Sequence, residues 1–331
     1  MSLYTFQGLI LDVRGTEDQP TRELEEVLLD LRWERTTTLG RNPGLLLSVR
    51  QHLEELPSAA RGRVVFRDQW FCGLEHDDAF SLTDETSLLY LQPQRGYGKA
   101  LLAPAFFAKP AVVRRHFWVF GLLKLLRPRG VYNLHAAGVI NPAGKGLLII
   151  GASGSGKSTL TIGLIRHGWG YLSDDTVLLR LQPQGVEALA VRKHCYVAAA
   201  EVPAYADLPL GKETTDLAGG WRRQVHIEAS YPEQYVPRCL PQILLFARIV
   251  PHAQSALRPV DRVSALRRLL AQSGRQYFDR GTMAPHLELL RRLLHQTVAY
   301  ELQAGLDLYH QPLTLVHLLT EVEGEGQWRG W

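Results

Sequence analysis

Apolar and polar positions along the chain fall into two periods, and their order predicts an α/β protein. Phe6 to Val13 reads as a strand, Thr21 to Arg35 as an amphipathic helix rich in Glu and Leu, and Arg63 to Trp70 and Ser87 to Leu91 as further strands. Together these make a small N-terminal α/β domain. Turns at Pro93, Pro104 and Pro110 lead into an apolar helix from Val112 to Leu126, which Pro128-Arg129-Gly130 ends. The pattern places a domain boundary near residue 108, giving residues 1–108, 109–323 and a mobile tail 324–331.

Beyond the boundary the signals sharpen. Tyr132 to Ile140 is expected as a strand, followed by a turn at Asn141–Gly144 and the apolar strand Leu147 to Ile150, and two such neighbours should pair antiparallel. Leu160, Ile162, Leu164 and Ile165 then give a helical apolar face that stops at Gly168. Strand signals at Tyr171–Asp175 and Thr176–Leu181 precede a long loop-rich stretch, Pro203–Gly220. Gln242–Val250 reads as a buried strand, and Val263–Gln272, Pro285–His295 and Leu313–Val322 as helices.

Composition narrows the class. The 331 residues are 46% hydrophobic and 21% charged, the balance of a globular chain. The longest apolar run, Phe117 to Leu126, is interrupted by Lys124 and is about half the length a membrane crossing needs. With no basic, apolar leader at the start, a cytoplasmic location is expected. Cys72, Cys195 and Cys239 form no Cys-x-x-Cys pair, which argues against a zinc site and a disulfide framework. A net charge of +4 without a cluster is no nucleic-acid footprint, and the basic segment Arg114–Arg129, interleaved with Phe117, Trp118 and Phe120, reads as a helix packed on a core.

The chemistry concentrates after the strand at Leu147–Ile150. Gly151-Ala152-Ser153-Gly154-Ser155-Gly156-Lys157-Ser158-Thr159 fits the loop in which successive backbone N–H groups and a helix N-terminus converge on phosphate oxygens. Lys157 would reach the β/γ-phosphates and Ser158 would ligate Mg²⁺, so a nucleoside triphosphate is the expected ligand. The loop needs a carboxylate to complete the metal shell, and Asp174-Asp175 follow within twenty residues of Lys157. A transporter ATPase would instead carry a Leu-Ser-Gly-Gly-Gln signature and a later Asp-Glu, and Leu217-Ala218-Gly219-Gly220 does not match. Read alone, Asp174-Asp175 could also cap a turn before the next strand.

His135 in Leu-His-Ala-Ala-Gly-Val, Lys157 twenty-two residues later and Asp175 eighteen beyond that resemble the catalytic domain of the HPr kinase/phosphorylase family, itself related to phosphoenolpyruvate carboxykinases. The resemblance covers about residues 130–182. It implies a P-loop kinase fold, ATP and Mg²⁺ as cofactors, and transfer to a serine hydroxyl of a peptide or protein. It also implies Asp175 as the general base, Asp174 beside the metal with Ser158, His135 supporting the pair or contacting phosphate, and Glu201 as a further metal ligand. Without the resemblance, a lone His135 in an apolar strand reads as a satisfied interior histidine rather than a catalyst. Arg222 and Arg223, after Ala218-Gly219-Gly220, are candidates to close on the phosphates, with Lys212 next, or else solvated surface charges. The family's phosphorylase motif is missing from Val197–Gly211, so kinase activity without efficient dephosphorylation is expected. Stand-alone relatives include kinases that tailor lasso-peptide precursors, and related domains often form rings. The alternatives are a small-molecule kinase acting on free serine, or a non-catalytic nucleotide-dependent regulator.

Overall fold

The computed structural model describes residues 2–16, 18–37, 44–51, 62–216, 219–273, 280–311 and 313–324. It divides into two compact units, Met1–Val131 with Thr215–Gly219, and Tyr132–Thr214 with Gly220–Trp331. The apolar helix expected to open the second domain therefore belongs to the first, and the division falls at residue 131 rather than near 108.

The first unit holds a mixed sheet with, among the described residues, nine strands: β1 (Ser2–Phe6), β2 (Leu9–Arg14), β3 (Glu34–Thr36), β4 (Leu45–Gln51), β5 (Arg63–Arg67), β6 (Cys72–His76), β7 (Ala79–Thr83), β8 (Leu88–Gln92) and β9 (Tyr97–Leu102). The single strand expected over Phe6–Val13 is the hairpin β1–β2. Gln7 and Gly8 both take positive φ, the two-residue turn whose twist matches paired strands. Helix α1 (Gln19–Asp30), capped by the Asp18 carboxylate, ends before Arg35 because Arg32 turns left-handed and Glu34–Thr36 pairs with β1. Helix α2 (Ala111–Leu126) buries Phe117 and Trp118 completely, while Arg114 and Arg115 pair with Glu23 and Asp30. Its basic residues are thus structural partners within the unit.

The second unit is built on a six-stranded sheet in the order β13-β11-β12-β20-β22-β21. Its members are β11 (Ala136–Ile140), β12 (Gly146–Ile150), β13 (Gly170–Ser173), β20 (Pro241–Ile249), β21 (Ala256–Pro259) and β22 (Val298–Ala304). β11 and β12 pair antiparallel, as expected across their tight turn, whereas β12, β20 and β22 run parallel. β12 is buried at every position, the mark of a strand covered on both faces. On one face its Leu147 and Ile149 meet Leu160 and Leu164 of α3 (Lys157–Arg166) and Leu315 and Leu319 of α8 (Leu313–Gly324). On the other, Leu148 and Ile150 meet Leu269 of α5 (Arg262–Gln272) and Leu290 of α6 (Arg280–Gln296).

A second sheet, β10 (Val131–Leu134), β14 (Val177–Gln182), β15 (Gly185–Leu189) and β19 (Arg238–Cys239), packs against that second face. The strand expected over Tyr132–Ile140 breaks at His135, so that β10 lies in this sheet and β11 in the larger one. The next pair does the same: β13 lies beside β11, β14 beside β10, and Asp174–Thr176 makes the crossing. His135 and the Asp pair therefore occupy the corresponding corner of two neighbouring strands.

The loop-rich stretch expected over Pro203–Gly220 carries a strand, β17 (Leu210–Thr215), that pairs within a sheet completed by the segments flanking it. Those segments are β16 (Cys195–Ala198) and β18 (Trp221–Val225), whose Val197 and Val225 pack with Leu208 on Ile162 and Ile165 of α3. Short helices α4 (Ile227–Ser230) and α7 (Leu306–His310) complete the unit. Ala218, ahead of the candidate arginines, and the tail beyond Gly324 lie outside the described residues. No helix among the described residues is long and apolar enough to cross a membrane.

Candidate functional site

The glycine-rich loop joins β12 to α3 at the carboxyl edge of the parallel strands. Gly154 and Gly156 take φ of +79° and +86°, values that let the chain turn back on itself and enter the helix. Gly151 is glycine for another reason: a Cβ there would stand 2.7 Å from the Ala247 carbonyl oxygen of β20 and 2.3 Å from Ser155 Oγ. Lys157 is buried, and its Nζ donates to the Gly151 and Ala152 carbonyls at 2.8 and 2.9 Å. Desolvation lowers its pKa, Asp175 and Asp174 work against that shift, and Arg222 adds to it.

Ser158, on the first turn of α3, donates from Oγ to Asp174 Oδ2 at 2.8 Å, and the Tyr196 N–H reaches the same oxygen at 3.3 Å. Asp174 is buried and its Oδ1 has no hydrogen-bond partner. Burial, reinforced by the charge of Asp175, raises its carboxyl to about 6 against the opposing bonds from Ser158 and Tyr196.

Asp175 differs in every respect. Its φ of +61°, with Thr176 N–H donating to the Asp174 carbonyl at 2.7 Å, makes a γ-turn of the rarer, more strained form. Ser173 Oγ, donating to the Thr176 carbonyl and accepting the Arg192 N–H, fastens the turn from below. The strain aims the Asp175 side chain at His135, with Oδ1 2.9 Å from Nε2, and leaves the carboxylate 52% exposed. Desolvation pushes this carboxyl up, but the hydrogen bond and charge of His135, with Arg192 and Lys157, hold it well below the ordinary range.

His135 is clamped by the end of α5. Its backbone N–H donates to the Gln272 carbonyl at 2.9 Å, and Nδ1 lies 3.1 Å from Gln272 Oε1. Two oxygen acceptors facing both ring nitrogens are satisfied together by the doubly protonated ring. With the Gln272 amide turned over, Nδ1 accepts and Nε2–H still donates to Asp175.

No family model matches the chain. The HPr kinase/phosphorylases of Chlorobium phaeovibrioides and Chlorobium chlorochromatii are each 31% identical to it over 64 residues. Over that stretch the chain is similar to HPr kinase/phosphorylases. The match spans 19% of this chain and 19% of each relative, so the chain covers about a fifth of the length of the curated relatives it matches. The Hpr(Ser) kinase/phosphatase of Coxiella burnetii superposes on 59% of the chain and 99% of its own, with 12% identity and a TM-score of 0.31.

The residues singled out from sequence divide into two groups. His135, Lys157, Ser158, Asp174 and Asp175 converge, and Arg222 joins them by donating from Nη2 to Ser153 Oγ at 3.0 Å. Arg223, next along β18, pairs instead with Glu213 at 2.6 Å. Thr159 turns to Tyr205. Glu201 lies in a 3-10 segment, Ala199–Tyr205, and among the described residues no cluster of three or more His, Cys, Asp or Glu able to hold a metal forms, so it does not join the Asp pair. Two residues escaped sequence reading: Gln272, as an ordinary helix-terminal residue, and Arg192, whose charge reaches Asp175. Neither lies in a motif; only the fold brings them to the corner.

Proposed function

We propose that the chain is an ATP-dependent kinase that transfers the γ-phosphoryl group to a serine hydroxyl of a peptide or protein. The observation that carries the reading is the Ser158–Asp174 hydrogen bond set beside the Asp175–His135 pair, next to the glycine-rich loop. A hydroxyl and a buried carboxylate with one unpartnered oxygen are the donor types a hard cation takes from protein, which fits Mg²⁺ held by Ser158 and Asp174. When bound, Mg²⁺ neutralises charge on the phosphate oxygens. The loop's backbone N–H groups and the start of α3 favour the same anion. The buried Lys157 ammonium can exchange its two carbonyl acceptors for phosphate oxygens, and Arg222 already rests on the loop.

With Oδ1 taken by His135, Asp175 has Oδ2 to accept a hydrogen bond from the acceptor hydroxyl. As that oxygen attacks the γ-phosphorus and the bond to the leaving oxygen breaks, the hydroxyl proton passes to the carboxylate. A carboxyl held low is a weak base, which suits a loose transition state in which orientation matters more than early proton removal. The experiment is transfer from labelled ATP to serine peptides, read by mass spectrometry, in the wild type and Asp175→Asn. Asn tolerates positive φ, so the turn survives. Nucleotide binding should persist while transfer falls by at least about 100-fold; an undiminished rate removes Asp175 as the base. ATP binding without transfer in the wild type would favour the regulatory alternative. The finer reading, a lasso-peptide tailoring kinase, would be selected by precursor, peptidase and cyclase genes beside this one.

A further inference from the structure

Beside the glycine-rich loop lies a group of arginines that the proposed transfer does not use. Phe246 of β20 pairs with Ile150, the last strand residue before the loop, and on its other side with Glu301 of β22. Glu301 in turn pairs with Arg258 of β21. Aligned residues on neighbouring strands share a face, and residues two apart along a strand do too, so Arg248, Glu301, Gln303 and Arg258 project on the face that α5 covers.

Glu301 is the fixed point. It is 15% exposed, and its Oε1 accepts from Arg248 Nε at 3.0 Å and Gln303 Nε2 at 3.2 Å, while Oε2 accepts from Arg268 Nη2 at 2.6 Å. Arg268 is also steadied over the Phe246 ring, its Cζ 5.3 Å from the centroid. The guanidiniums themselves remain open, Arg248 at 55% and Arg268 at 39%, and Arg258 is exposed as well. Three arginines around one carboxylate leave an excess of positive charge. Arg248 spends its Nε on Glu301 and keeps both terminal nitrogens for a planar anion.

The place of this group matters as much as its charge. Arg268 lies one turn before Gln272, which grips His135, so the last turn of α5 ties the arginines to the proposed transfer corner. β20 is two strands from β11, about 10 Å across the sheet, and an extended peptide covers that distance in about three residues.

We propose that Arg248 and Arg268, ordered by Glu301, together with Arg258 on the neighbouring strand, form a subsite for a carboxylate on the phosphoryl acceptor, about three residues from its serine. The proposal rests on the kinase reading only for the identity of the serine's role. Glu301 supplies rigidity, so the arginines meet the acceptor without first being ordered.

The test uses the full chain and amidated synthetic peptides with one serine and one Glu scanned from one to five positions away. A Gln analogue of each, and a peptide whose sole carboxylate is the free C-terminus beside the serine, complete the set. Equilibrium binding is read by fluorescence anisotropy with Mg-ADP, and transfer from ATP by mass spectrometry. The peptide with Glu at about three residues should bind at least tenfold more tightly than its Gln analogue, with the preference reduced at least fivefold in R248A/R268A. R258A, which leaves the Glu301 contacts intact, should reduce it in the same direction, and thermal melts confirm folding. Where transfer occurs, the loss should appear in KM rather than kcat. Equal binding of Glu and Gln peptides by the wild type, or an undiminished preference in both variants, overturns the subsite. A preference confined to the terminal carboxylate overturns its spacing. Arginine-dependent binding without transfer retains the subsite and removes the kinase reading, and arginine-independent transfer does the reverse.

Discussion

Strand β12 ends at both sides in a glycine turn, and the two turns are built on opposite plans. At its start, Asn141 N–H donates to the Lys145 carbonyl, Gly144 N–H to the Asn141 carbonyl and Lys145 N–H to Asn141 Oδ1, all within 2.9 Å. At its end, Ser155 Oγ and the neighbouring Asp174 Oδ1 are buried without partners, and a buried ammonium is held only by loop carbonyls. A turn that meets its own hydrogen-bonding needs is complete as a connector. A loop that leaves buried polar groups unmet is stabilised by whatever ligand meets them.

The comparison can be broken most forcefully at Lys157. Lys157→Ala should weaken ATP binding by about 10- to 100-fold, the loss expected for hydrogen bonds to a charged group, and transfer with it. Calorimetric titration reads this directly, and normal affinity would undo the contrast between the two turns.

A paired substitution asks whether the glycines differ as the turns do. Gly151→Ala forces a Cβ against the Ala247 carbonyl and should cost ~1–3 kcal/mol in urea unfolding while impairing nucleotide binding. Gly144→Ala meets nothing within 4 Å, and its φ of +82° should cost only about 1 kcal/mol. Nucleotide affinity should be unchanged.

The smallest effect concerns pH. Asp174 in the folded chain titrates near 6, above its ordinary 3.8, so between those values the folded state holds more proton than the unfolded. Stability from this group is therefore present at low pH and lost as pH rises through 6. Asp174→Asn should raise the Tm of the nucleotide-free protein by roughly 2–4 °C at pH 7.5. The gain should narrow below pH 6 and vanish near pH 4. Scanning fluorimetry across that range checks it, and a lower Tm at pH 7.5 would mean that Asp174 is not an uncompensated buried charge.

The parts of the site legible from sequence are those whose chemistry is local. The loop from Gly151 to Ser158 needs backbone freedom and a helix start in one continuous stretch, and Asp174-Asp175 and His135 are displayed at recognisable distances from it. What the sequence hid depends on sheet exchange. An unbroken apolar run over Tyr132–Ile140 carries no sign that the strand changes sheets at His135, nor that Asp174–Thr176 makes the matching crossing. Gln272 and Arg192 were invisible for the same reason. The glycines and prolines between Pro203 and Gly220 resemble loop composition, yet Tyr205 and Leu208 gave that stretch an apolar face to pack on α3. The hairpin at Gln7-Gly8 was legible in principle, since a glycine inside an alternating run marks a turn.

The parallel pairing of β12 also governs when the loop can exist. Leu147 is matched to Ile243, so the strand that seats the glycine-rich loop waits for a partner almost a hundred residues later. Closing so long a stretch is entropically costly and slow. On a ribosome the chain would thus emerge with its loop sequence complete and its binding corner unformed until β20 clears the exit tunnel. The arginine beside the loop, Arg248, would arrive with that same strand.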